Sequence, residues 1–151
     1  MEVTYIVDKE KVLKEVRRLT TYVGQRKGEE GAFERISATD SDRGMLEQFW
    51  QAACSAATEQ LMHYATDIYI GSACHASDYE VEMDMPSLYD DNLNESVESG
   101  LQNFFVNLMT SKWCKITNPD DEAKYAAEAL GFMKNIENLI YHRKRPKRDE
   151  Y

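Results

Sequence analysis

Glu80, Glu82 and Asp84 stand at alternate positions in the run Tyr79-Glu80-Val81-Glu82-Met83-Asp84-Met85. On an extended strand that spacing puts three carboxylates on one face and Tyr79, Val81, Met83 and Met85 on the other. Such a row can hold Ca²⁺ or act as acid and base. No His, Lys or Arg stands beside it to complete an acid/base pair, so the wet face of a sheet is the simpler reading. Asp90-x-Asn92-x-Asn94 begins like a calcium loop and then departs from it. The sixth position is Glu95 instead of Gly, and the twelfth is Leu101 instead of Glu. Capping of a helix by Asp90, Asp91 or Asn92 accounts for these residues with less. Asn94-Glu95-Ser96 matches a glycosylation sequon, but nothing in the residues points to secretion.

The histidines, His63, His75 and His142, have no HxxxH spacing, and Cys54, Cys74 and Cys114 have no CxxC spacing. We therefore expect no metal site and no cofactor. Three widely spaced cysteines suit neither a disulfide framework nor a zinc knot, and read as small buried hydrophobes of a reducing cytosol. No GxSxG or GK[ST] motif occurs, and Cys74–His75 and Cys114–Lys115 are weak nucleophile contexts. The expectation is a protein that is not an enzyme, with a carboxylate enzyme built on Glu80, Glu82 or Asp84 as a rival.

Charge carries more information. The chain has a formal net charge of −9, yet five of its last nine residues are Lys or Arg. Between Arg43 and Lys112 there is no Lys or Arg, and that stretch holds eleven acids, among them Glu80, Glu82, Asp84, Asp90 and Asp91. These five form the expected acidic face. Long-range fields of opposite sign let identical copies mate head to tail, and such contacts close into rings when the rotation closes. The basic run has two other readings, a frayed solvated end or a contact to nucleic-acid phosphates. The docking reading assigns partner binding to Tyr141, Arg143, Lys144, Arg145, Lys147, Arg148 and Tyr151, with the two tyrosines as aromatic anchors.

The elements that must position these groups follow from periodicity. With 151 residues and 42% hydrophobic content, one domain is expected over residues 1–142, followed by a basic tail at 143–151. No apolar run reaches the ~20 residues of a membrane span, and the N-terminus lacks the features of a signal peptide. Strands are expected near 2–7, 68–74 and 79–85. A helix is expected over about Lys9–Val23, with Val12, Val16, Leu19 and Val23 inward. Residues 24–38, with three glycines, read as a loop with a short helical turn near Phe33–Ile36. Thr39-Asp40-Ser41-Asp42 caps the longest helix, whose apolar steps run from Leu46 to Tyr64 and Ala65, with His63 alongside. A third helix turns Val97, Leu101, Phe104, Phe105, Leu108 and Met109 inward. A fourth begins at Asn118-Pro119 and carries Ala123, Ala126, Ala127, Leu130, Met133, Ile136 and Ile140 as its apolar stripe. The fold class is mainly α, a four-helix domain with a small β-hairpin or short antiparallel sheet.

The order of these elements resembles a known group. A short strand leads into VDKEKVLKEV, and a capped turn precedes LEQFWQAACSAATEQL. An acidic strand ending at Pro86 precedes LQNFFVNLMTSKWCKI, and the last helix ends in LIYHRKRP. The chain resembles the small head–tail connector (adaptor or head-completion) proteins of tailed phages and prophages. The resemblance rests on helix order and aromatic placement over most of the chain. It implies a connector-like, non-enzymatic ring subunit at the virion neck, made in the host bacterial cytoplasm. The partners it implies are identical subunits, a portal protein, a tail or stopper protein and, transiently, genomic DNA in the channel, with no membrane. Tyr141, Arg143, Lys144, Arg145, Lys147 and Arg148 then match a docking tail, and residues 44–111 an inter-subunit face or channel lining. The hairpin departs from all-helical adaptors and leaves a stopper or tail-completion role open. A DNA-packaging accessory using the basic tail is a further alternative.

Overall fold

The computed structural model describes residues 1–26, 31–70 and 78–143. Five α-helices accompany a three-stranded antiparallel sheet of order β1-β3-β2. The strands are β1 (Glu2–Val7), β2 (Ala65–Ile70) and β3 (Tyr79–Asp84), and the helices are α1 (Lys9–Arg26), α2 (Ala32–Ile36), α3 (Arg43–Leu61), α4 (Asn94–Thr117) and α5 (Pro119–Ile140). The mainly helical class with a small sheet holds, with the expected turn at Phe33–Ile36 forming α2.

β3 is the central strand, and its alternation of apolar and polar residues buries Tyr79, Val81 and Met83 on one face. β1 pairs with it from Glu2 opposite Asp84 to Val7 opposite Tyr79. β2 pairs on the other side, with a bulge between Ala65 and Asp67. The inner face packs on α3 and α4: the Phe105 ring lies 4.9 Å from Trp50 and 5.2 Å from Tyr79. α4 is the axis of the molecule. It touches α1, α3, α5 and β1, which is why its buried residues, from Val97 to Cys114, lie on several faces. α5 packs back against it, and Gly100 permits the approach. A Cβ there would stand 3.0 Å from Ile136 Cγ1.

Several boundaries differ from the sequence reading. α1 continues past Val23 to Arg26, and Gly24 within it lets the Phe33 backbone of α2 pack close, where a Cβ would stand 3.0 Å from Phe33 Cα. α3 stops at Leu61, so Tyr64 belongs to the turn into β2, Ala65 opens β2 itself, and His63 is exposed in that turn. β2 therefore begins three residues before the expected start at 68, and the expected 71–74 portion lies outside the described residues. Capping differs too. Asp42 does not cap α3; its carboxylate accepts the N–H and hydroxyl of Thr39, closing a 3₁₀ turn at Asp40–Asp42. Asn118 precedes α5, but its side chain donates to Asp121 Oδ2 at 2.6 Å and leaves the helix N–H groups uncapped by it.

Candidate functional site

The outer face of the sheet gathers carboxylates from three strands. Register places Glu2 opposite Asp84 and Asp67 opposite Glu82, with Glu80 opposite Ile6. Side chains directly across an antiparallel pair share a face with Cβ atoms about 5 Å apart, and like charges so placed destabilise the sheet. The N-terminal amine of Met1 lies against one end of this row, 3.3 Å from Asp84 Oδ1. Thr66 in the bulge donates to the Glu82 carbonyl at 3.2 Å and lies 3.4 Å from its Oε1. Glu80, Glu82 and Asp84 are thus held on one face, and Glu2 and Asp67 join them.

Asp90 and Asp91 lie apart, in and before a 3₁₀ turn at Asp91–Leu93. Asp90 accepts the Asn92 N–H at 3.1 Å and the Asn92 amide at 3.0 Å, so it holds the turn. Other acids of the long negative stretch are used within the subunit. Glu47 pairs with the buried Lys9 amine and with Arg43. Asp78 accepts the Lys9 N–H at 3.0 Å, and Glu98 accepts the Ile6 N–H of the edge strand at 3.2 Å. The negative stretch is therefore broken into structural carboxylates and an open acidic sheet face. Part of the N-terminal basic end folds back onto its own acids, which the charge pattern alone did not disclose.

At the other end of the candidate site, α5 stops at Ile140. Tyr141 is 63% exposed and packs edge-on against Tyr64, their ring centroids 5.9 Å apart. The hydrogen bond to Tyr141, then burial, then the Tyr141 and Glu137 charges raise the Tyr64 phenol above its ordinary value. Arg143 forms an antiparallel backbone bridge with Tyr89, and among the described residues its guanidinium has no acidic partner. Lys144, Arg145, Lys147, Arg148 and Tyr151 lie outside the described residues.

A buried polar knot fixes this corner. Both Tyr5 and Tyr89 direct their hydroxyls at Asn94 Oδ1, at 2.9 and 2.8 Å, and stand 3.2 Å from each other. Two hydroxyl hydrogens serve three contacts, and the shorter two converge on the amide oxygen. Tyr89 thus links the core, through Asn94, to its own isolated backbone bridge with Arg143. The sequence reading did not find this knot, since Tyr5 and Asn94 are separated by 89 positions.

The expected apolar stripe of α5 holds at Met133, Ile136 and Ile140 and departs in the N-terminal half of the helix. The buried residues are Tyr125, Ala129, Met133, Ile136 and Ile140, whereas Ala123 and Ala127 are exposed and Leu130 is 64% exposed. The helix carries two apolar stripes at 3.6-residue spacing, and only the one meeting α4 is covered.

Among the described residues no three His, Cys, Asp or Glu side chains converge on a metal-sized site, and no helix is long and apolar enough to cross a membrane. No family model, curated protein or solved structure matches the chain.

Proposed function

We propose that the chain is a non-enzymatic subunit of a ring, a head–tail connector protein of a tailed-phage or prophage virion. The acidic outer face of the sheet carries this reading. Glu2 faces Asp84 and Asp67 faces Glu82, an arrangement that costs folding stability and is relieved by cations supplied from outside. The basic C-terminal run of a second copy has the required sign. The uncovered stripe of Ala123, Ala127 and Leu130 adds the apolar area that a lasting subunit contact needs. Exposed Tyr141, two residues before the Arg143 that bridges to Tyr89, supports an aromatic anchor beside the start of that run in the sequence. In a ring, carboxylates not used between copies face the channel, where their charge repels DNA phosphates and keeps the duplex from adhering.

Mass measurement of the full chain and of a chain ending at Tyr141, alone and mixed with a candidate portal protein, tests the proposal. The full chain forms a multi-subunit species or a portal complex that weakens with salt, and the truncated chain does neither. A strict monomer that ignores the portal at low salt overturns it.

A further inference from the structure

A cleft of about 490 Å³ runs between α1 and α5, floored by α4. Leu19 and Val23, expected from their spacing to point inward, are only part-buried and form one wall with Tyr22. Two polar side chains of the lining are more than nine-tenths buried: Asn107 at 8% exposure and Tyr125 at 5%. Asn107 Nδ2 donates to the Asn103 carbonyl at 2.8 Å. A carbonyl only accepts, so this bond sets the amide orientation and leaves Oδ1 as the open acceptor. Neither Oδ1 nor the Tyr125 hydroxyl has a hydrogen-bond partner among the described residues. Every fully occluded side-chain polar atom there does have one, so these two atoms reach open space, and the cleft is the space they line. Buried tyrosine hydroxyls ordinarily find a partner.

The charged groups around them come in both signs. The Arg26 guanidinium lies 5.4 Å from the Tyr22 ring centroid, and the Lys124 amine lies 5.3 Å from that of Tyr125. Among the described residues neither cation is in an ion pair, although Asp121 and Glu128 line the same cleft. Asp121 already accepts from Asn118. The lining thus offers two cations, two carboxylates, two aromatic rings and an unfilled acceptor, with no net charge. A ligand with only one charge would meet as much repulsion as attraction. One with both charges on an aromatic body meets partners for each.

We propose that this cleft binds a small aromatic zwitterion, an aromatic amino acid or a close chemical relative. The ring lies against Leu19, Val23 and the tyrosines. The ammonium donates to Asn107 Oδ1 beside Glu128, and the carboxylate meets Arg26 and Lys124. The volume lies within the range of small-molecule sites, roughly 300–1,000 Å³.

Calorimetric titration of the full chain with L-tryptophan, L-tyrosine and L-phenylalanine tests this, with tryptamine and indole-3-propionate as analogues lacking one charge. At least one amino acid binds saturably with a Kd below about 5 mM, and each one-charge analogue binds about tenfold more weakly than tryptophan. Arg26→Gln and Asn107→Leu each weaken binding about tenfold. Arg26 is exposed, so Arg26→Gln and Tyr22→Ala keep the test decisive if Asn107→Leu fails to fold. Absence of binding by all three amino acids overturns the proposal. So do analogues that bind as tightly as tryptophan, or unchanged affinity in Arg26→Gln. Binding is read on single subunits as well as on oligomers, so a negative result leaves the assembly reading intact.

Discussion

The Tyr5 hydroxyl donates to Asn94 Oδ1 at 2.9 Å, tying the first strand of the sheet to the first residue of α4. Tyr89 donates to the same oxygen at 2.8 Å, so one amide anchors two phenols in the corner where Arg143 pairs with Tyr89. Removing the shared acceptor strands two nearly buried hydroxyls, whereas removing one phenol leaves the other bond intact. Asn94→Ala is expected to cost about 1–3 kcal/mol and Tyr5→Phe about 0.5–1.5 kcal/mol. Urea unfolding of both variants checks this. Equal losses would mean that the amide does not act as a common anchor.

Two glycines on facing helices should respond with opposite sign to the same change. Gly131 on α5 has nothing within 4 Å of a built Cβ, so Gly131→Ala gains helix propensity alone, about 0.8–1 kcal/mol. At Gly100 the new methyl meets Ile136 Cγ1 at 3.0 Å in a fully buried contact. Overpacking of about 1–3 kcal/mol then exceeds the propensity gain. Thermal melting of Gly100→Ala, Gly131→Ala, Ile136→Ala and the pair Gly100→Ala with Ile136→Ala distinguishes the cases. The pair should lose less than the sum of its two single changes, because alanine at 136 lacks the Cγ1 that the new methyl meets.

Alkaline pH should unfold the protein through its tyrosines. Burial, then Cys114, Asp121 and Glu128, push the Tyr125 phenol from 10.0 up to about 12. Burial also raises Tyr5, Tyr79 and Tyr89. The folded protein keeps these protons when the unfolded chain has begun to lose them. Stability is therefore complete below about pH 10 and falls as pH rises from there through about pH 12. Melting temperature followed together with phenolate absorbance reads both halves of the effect. A melting temperature that stays flat through this window would contradict it.

The facing carboxylates of the sheet should trade stability against association. Asp67→Asn or Glu2→Gln removes one of each like-charged pair and is expected to stabilise the isolated subunit by about 0.2–1 kcal/mol, more at low salt. The same variants should weaken the subunit or portal complex, since they remove charge from the contact face. Melting and mass measurements on the same samples give both values. Stabilisation without any loss of assembly would show that the face is not a contact.

Much of the fold was legible in the residues. Val3, Tyr5 and Val7 fall on one face of an extended run, with Thr4 and Ile6 on the other, and β1 occupies Glu2–Val7 as that reading requires. Asn118-Pro119 marks the start of α5, because Pro lacks the N–H that a first helical turn leaves unused anyway. The end of α3 was not legible, since Tyr64 and Ala65 continue the steps of three and four while serving a bulged strand. The acidic face was visible as alternation in Glu80, Glu82 and Asp84. Its reinforcement by Glu2 and Asp67 was not, because strand register depends on partners distant in sequence.

Local spacing by itself determined which segments coil, which extend, and where negative charge accumulates, because these follow from backbone geometry over a few neighbouring residues. Only the tertiary structure decided which α5 stripe is covered, which acids serve Lys9, Arg43 or a backbone N–H, and where Asn107 and Tyr125 keep open hydrogen-bonding positions. The physical reason is that burial and pairing are properties of two surfaces meeting. A helix with two apolar stripes, or a chain with more acids than nearby cations, leaves that choice to whichever distant element packs against it.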